Sequence, residues 1–167
     1  DIYKYIDTEY ALIIHYDGFV VNPEKWDDDF LNYDYIGSPW IGVPTDGRNP
    51  FKDEFGDIYR VGNAVSLRSR RLMELPSKEN MEWKPYGGWY NEDGYICVNN
   101  RKKFEEKGMR YAPVEVAVKF GREFPVPEGE GIEPFLFHKW VGENMKYPNF
   151  SYKATIKRIL HSKGLIK

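Results

Sequence analysis

The chain has 167 residues, with 24 Lys and Arg against 26 Asp and Glu and a formal charge of −2. That length supports one domain with its own core. The balanced charge excludes the basic excess or stripe of a general nucleic-acid binder. The single cysteine, Cys97, excludes an internal disulfide framework and a Cys-rich zinc site.

Aromatic residues make up 17% of the chain. They serve large cores and carbohydrate sites alike, so composition does not choose between these. No apolar run approaches the roughly 20 residues that span a bilayer, and no signal-peptide pattern is present. The chain opens at Asp1, almost directly into a strand, and reads as a fragment with a cytoplasmic default.

In chain order the pattern is α/β, without internal repeats. Residues 10 to 21 are β-branched and apolar and read as a buried strand ending near Asp17, with a short extension after it. Asp27, Asp28 and Asp29 precede Phe30 and Leu31 and read as a polar helical face. Residues 33 to 36 form a second strand, closed by Gly37, Ser38 and Pro39. Residues 41 to 60 read as a long loop, and residues 62 to 68 as a further strand. Ser69 to Leu75 form a short helix stopped before Pro76. A helix over 92 to 107 ends at Gly108, placing Cys97 in its apolar core, and strands follow within 109 to 120 and at 134 to 138. The organisation is one domain over 1–150 and a basic amphipathic helix over 151–167, whose charges read as a solvated face.

Two places carry chemistry. The first is Tyr-Gly-Gly-Trp (86 to 89) followed by Tyr-Asn-Glu-Asp-Gly-Tyr (90 to 95). Glycines such as Gly88 let a backbone approach a ligand, and Trp89 offers a flat face to a sugar ring. Glu92 and Asp93 stand at a helix start, where the dipole and free N–H groups stabilise negative charge. A general base needs that placement; a plain helix cap behind a glycine turn is the alternative. The second is His15-Tyr16-Asp17 at the end of an apolar strand, where α/β sheets place ligands. Strand alternation puts His15 and Asp17 on one face. An Asp there suits Mg²⁺ or Mn²⁺ carrying a diphosphate, or else caps a turn. A lone His138 at the end of Phe-Leu-Phe-His reads as structural. Arg68 reads equally as a phosphate contact or a surface ion pair.

Five segments occur in order: Tyr-Asp-Tyr-Ile-Gly-Ser-Pro-Trp (33 to 40), Val-Gly-Asn-Ala-Val-Ser-Leu-Arg-Ser (61 to 69), Asn-Glu-Asp-Gly (91 to 94), Tyr-Ala-Pro-Val-Glu-Val-Ala (111 to 117) and Phe-Leu-Phe-His-Lys-Trp (135 to 140). Together they resemble a family of uncharacterised domains related to GT-A-fold glycosyltransferases. The resemblance covers about residues 9 to 140. It implies a GT-A-like mixed sheet flanked by helices, here without the N-terminal nucleotide-binding β-α-β half. It also implies an inverting hexosyl- or related transferase with a nucleotide-sugar donor, a carbohydrate or glycan acceptor and a divalent metal, Mn²⁺ or Mg²⁺. On that resemblance Asp17 and His138 hold the metal, and Asp93 is the base with Glu92 orienting the acceptor. Trp89, Trp40 and Gly88 shape the acceptor surface, and Asn63 and Arg68 lie near the donor. The chain departs from the pattern at two places. His15 stands where such enzymes carry the first Asp of Asp-x-Asp, and Ala64-Val65 replaces two glycines. A carbohydrate-binding module and an interaction domain are the competing classes.

Overall fold

The computed structural model describes residues 2–44, 48–149 and 152–166. The fold is mixed α/β, built from small sheets and short helices. Its centre is β6 (Val61–Ser69), flanked by β1 (Tyr10–Ile13) and β3 (Tyr35–Pro39), both antiparallel to it. Every residue of β3 is buried, and so is nearly every residue of β6. The apolar alternation of β3 therefore feeds two cores. Tyr35 points into one with Trp40, Leu72, Tyr95 and Phe104, and Ile36 into the other with Phe30, Val65 and Phe120.

β3 and β6 approach closely at glycines. A Cβ on Gly37 would overlap the Gly62 carbonyl, and one on Gly62 would overlap the Trp40 ring. Beyond Gly37 the ladder shifts register. Gly37 pairs with Ser66 while Pro39 pairs with Val61, so β6 bulges between them. Asn63 sits in this bulge with φ 88°, and Tyr35 Oη donates to its carbonyl.

A second sheet joins β2 (Gly18–Val20), β8 (Leu136–His138) and β7 (Gly121–Arg122). β8 runs antiparallel to β2 and parallel to β7. The strand expected to end near Asp17 stops at Ile13, and the short extension expected after it is a separate strand in another sheet. A turn closed by the Gly18 N–H on the His15 carbonyl, at 3.2 Å, parts them. The Asp17-Gly18 pair supplies ordinary turn chemistry. β1 is a half-buried edge rather than a buried strand. Within the expected loop, β4 (Phe51–Lys52) and β5 (Ile58–Tyr59) form a hairpin.

α1 (Arg70–Lys78) starts where Ser69 Oγ accepts the Leu72 N–H at 3.2 Å. It runs past Pro76, contrary to expectation, because in its last turn a proline costs only one intrahelical bond. α2 (Glu92–Gly94) continues as a π-helical turn (Tyr95–Asn99) before α3 (Arg101–Glu106), and Gly108 ends the run as expected. Cys97 lies in this buried turn, and burial pushes its thiol up to about 12, so it is core. Within 109 to 120, where a short strand is expected, Tyr111 makes one isolated bridge to Tyr35 and Val114–Phe120 is helix α4. Proline at its start and Gly121 at its end delimit it, and it buries Ala117, Val118 and Phe120. α5 (Tyr152–Ser162) occupies the basic tail. Among the described residues no helix is long and apolar enough to cross a membrane.

Asp34 ties the central sheet to its surroundings. Its buried carboxylate accepts from Ser69 Oγ at 2.6 Å, from the Arg110 N–H at 2.8 Å and from the Arg71 guanidinium. Burial alone would raise its pKa, but these donors hold it below the usual range.

The close approach of β3 and β6 gives the first prediction. Gly37→Ala should cost about 2 kcal/mol or more, the scale of overpacking a tight core. A thermal or urea melt reads this directly, and an unchanged midpoint would contradict the contact.

Candidate functional site

The turn between β1 and β2 and the end of β8 bring His15, Asp17 and His138 together. One ligating atom from each lies within 4.8 Å of the others. His138 Nε2 stands 3.3 Å from Asp17 Oδ1, yet that oxygen is buried with no hydrogen-bond partner. The rings of His15 and His138 meet edge to face at 5.5 Å. Two backbone contacts fix the arrangement: Gly18 pairs with His138 in the β2–β8 ladder, and the Lys139 N–H donates to the Asp17 carbonyl at 2.7 Å.

Glu123, just after β7, lies behind this cluster and is buried. It accepts hydrogen bonds from Asn63 Nδ2 and Lys139 Nζ, and its Oε1 is 3.8 Å from His138 Nδ1. Burial lowers the pKa of His138, and the charges of Glu123 and Asp17 oppose it only in part. The neutral ring keeps a lone pair for a cation. A buried, unpartnered carboxylate oxygen facing an imidazole nitrogen fits a divalent metal.

The second cluster lies over β6. Arg68 is 6% exposed, so it is not the surface ion pair considered from sequence. Its Nη2 donates to Glu92 Oε1 at 3.0 Å and to the Ala64 carbonyl at 3.2 Å, and its Nε to Ser66 Oγ at 2.8 Å. Burial would raise Glu92, but Arg68 more than offsets it and holds the carboxyl below the usual range. Asp93 goes the other way. Burial raises it and the neighbouring Glu92 adds to that, while the Gly94 N–H, donating at 2.8 Å, opposes in part. The adjacent carboxylates are therefore separated in acidity, a pattern typical of acid–base sites.

The two clusters share one electrostatic neighbourhood. His15 lies within electrostatic reach of Glu92, and Glu123 within that of Asp93. On the second cluster's side a cavity of about 610 Å³ is lined by Arg68 and Glu92 with Met73, Met81, Trp83 and Tyr95. Trp83 stacks on Tyr95 at 4.5 Å, and the Tyr95 hydroxyl is buried without a partner.

Other expected residues have different places. Trp40 is 5% exposed and stacked on Phe51 at 3.9 Å, so it is core and cannot floor an acceptor site. Phe51 stacks in turn on Tyr86. Tyr86 and Trp89 exchange backbone hydrogen bonds of 2.8 and 3.0 Å around Gly87 (φ 56°) and Gly88 (φ 84°). Gly88 thus serves a turn that needs two left-handed residues. Trp89, carried on that turn, is 72% exposed. Asn63 is buried and holds Glu123. The acidic run is the expected local structure, with Asp27 accepting the Asp29 N–H at 3.0 Å. Sequence reasoning missed Glu123, Trp83, Tyr95 and the place of His15 against His138. Only His15 carried a signal, its shared strand face with Asp17.

The chain belongs to the family described as protein of unknown function (DUF5672), whose model matches residues 1–138. That match spans both clusters. No curated protein and no solved structure matches the chain.

The raised pKa of Asp93 has a stability consequence. A carboxyl whose folded pKa exceeds its unfolded value destabilises the fold once pH rises above the unfolded value of about 4. Asp93→Asn should therefore raise the melting temperature at neutral pH. The gain should vanish below about pH 4, where both forms are neutral. Melts across pH check it; a variant less stable at neutral pH would contradict the assignment.

Proposed function

We propose that this domain transfers a sugar from a nucleotide-sugar donor to an acceptor hydroxyl, with inversion and with a divalent cation, on a GT-A-like scaffold. The observation that carries the reading is the Glu92–Asp93 pair, split in acidity by Arg68, with Glu92 within the electrostatic reach of His15 of the His15–Asp17–His138 cluster. The five ordered segments that resemble GT-A-related domains support it from the sequence side.

In this reading Asp93 takes the proton of the acceptor hydroxyl as its oxygen bonds to the anomeric carbon. The bond from that carbon to the donor diphosphate breaks, and the electron pair leaves with the diphosphate. A carboxylate raised toward neutrality is a better base than an ordinary aspartate. Glu92, held ionised by Arg68, orients the acceptor at the mouth of the cavity. Trp83 and the exposed Trp89 offer aromatic faces to a sugar. A divalent cation held by Asp17 and His138 would neutralise charge on the departing diphosphate.

The exposure of Trp89 and Tyr90 also favours a second reading, a carbohydrate-binding surface without chemistry. That reading requires sugar binding indifferent to chelators.

Asp93→Asn should lower kcat by about 100- to 10,000-fold, the general-base range, and leave donor affinity nearly unchanged. Glu92→Gln should do less harm. Steady-state transfer assays on the complete protein measure both. Full activity in both variants would reduce the pair to a helix cap and remove the transferase reading.

A further inference from the structure

We propose that His15, Asp17 and His138 together form a two-nitrogen, one-oxygen site that selects a borderline transition cation, of the Co²⁺ or Zn²⁺ class, over Mg²⁺. The inference deepens the metal-dependent reading above by naming the third ligand and the class of ion. It rests on that reading only for what the ion does.

The donor set makes the choice. Mg²⁺ demands near-octahedral oxygen ligation and dehydrates reluctantly. Imidazole nitrogen suits Zn²⁺ and its neighbours, and affinity rises from Mn²⁺ through Co²⁺ along the first row. Replacing an oxygen donor with His15 moves the site away from hard ions. Its position after the strand allows this, because the turn at Tyr16 and Asp17 folds the His15 ring back toward His138.

The spacing agrees. An ion about 2.0–2.1 Å from two donors sets them about 2.8–3.4 Å apart at angles between octahedral and tetrahedral. His138 Nε2 and Asp17 Oδ1 stand 3.3 Å apart. Their burial without a hydrogen bond to that oxygen is a second, independent sign that a third partner belongs between them. His15 is half-buried and brings a ring nitrogen within 4.8 Å of both, so its ring has only a short way to move to join them on one ion. Three protein ligands leave coordination positions for water or a diphosphate oxygen.

A carboxylate also stands on the outer side of His138. Its second nitrogen, Nδ1, is buried without a hydrogen-bond partner and faces Glu123 Oε1 at 3.8 Å. A carboxylate at that place is the group that would orient the ring, with Nε2 toward the ion, once the two close to hydrogen-bonding distance. Glu123 is in turn held by Asn63 and Lys139. Glu123 is thus a positioning residue.

The test is calorimetry and Co²⁺ absorption on the chelator-treated protein with Zn²⁺, Co²⁺, Mn²⁺ and Mg²⁺ separately. One Zn²⁺ or Co²⁺ should bind per chain, Mn²⁺ more weakly and Mg²⁺ weakest. His15→Ala should weaken Co²⁺ binding by more than about tenfold and alter the visible band, and Glu123→Gln should weaken it by about 10- to 100-fold. Circular dichroism of each variant establishes that it is folded; a variant that fails to fold is replaced by His15→Gln. Equal affinity for Mg²⁺ and Co²⁺, or unchanged Co²⁺ binding in a folded His15 variant, overturns this inference and leaves the transferase reading standing. No binding of any ion overturns both.

Discussion

The site depends on one buried carboxylate, Glu123. It is gripped by Asn63 from the bulge of β6 and by Lys139 just beyond β8, and it backs His138. Both partners carry left-handed backbone, φ 88° at Asn63 and φ 65° at Lys139. They are two of the three non-glycine residues with positive φ among the described residues. Such strain persists only where the surroundings enforce it, and it collects at functional positions. Here the enforcing groups are visible. Tyr35 Oη donates to the Asn63 carbonyl, and the Asn63 side chain accepts the Val65 N–H at 3.1 Å. On the other side the Lys139 N–H donates to the Asp17 carbonyl. The same backbone distortions thus seat Glu123 and the turn that carries Asp17.

A second constraint sets the acidic pair. Glu92 and Asp93 are adjacent in sequence but sit in different fields, because only Glu92 reaches the Arg68 guanidinium. Two like charges side by side in a partly buried place cannot both be cheap to ionise. Arg68 decides which one ionises readily, and β6, with its neighbours on both edges, holds Arg68 in place. An aromatic ladder of Trp40, Phe51 and Tyr86 runs from the core to the turn that presents Trp89. Trp40 therefore matters to the site as a foundation rather than as a contact.

Much of the frame was legible in the sequence. β3, β6 and β8, the start of α1 at Ser69, the helix start at Glu92 and the stop at Gly108 all follow from local rules. The failures have physical causes. The first strand reads as running on to Asp17 and extending beyond it because the apolar run continues on both sides of the turn at His15 to Gly18, and only tertiary pairing sends the halves to different sheets. Val114–Phe120 alternates like a strand, but packing on β3 and the proline and glycine at its ends make it a helix. Of the site, Asp17, Glu92 and Asp93 stood out because turns and helix starts have signatures. Glu123 had none, since its meaning comes from Asn63, 60 residues away in the chain. Trp40 misled because an aromatic in a glycine- and proline-rich stretch looks the same whether it faces solvent or core.

The central claim is that the His–Asp cluster and the acidic pair serve one ligand, a diphosphate-bearing donor held at Asp17. The most direct measurement is titration of a nucleoside diphosphate into the complete protein, with and without a divalent transition cation, in the parent and in Asp17→Ala. The account predicts binding that requires the cation and is lost in the variant. Equal binding without the cation, or equal binding by Asp17→Ala, would contradict it.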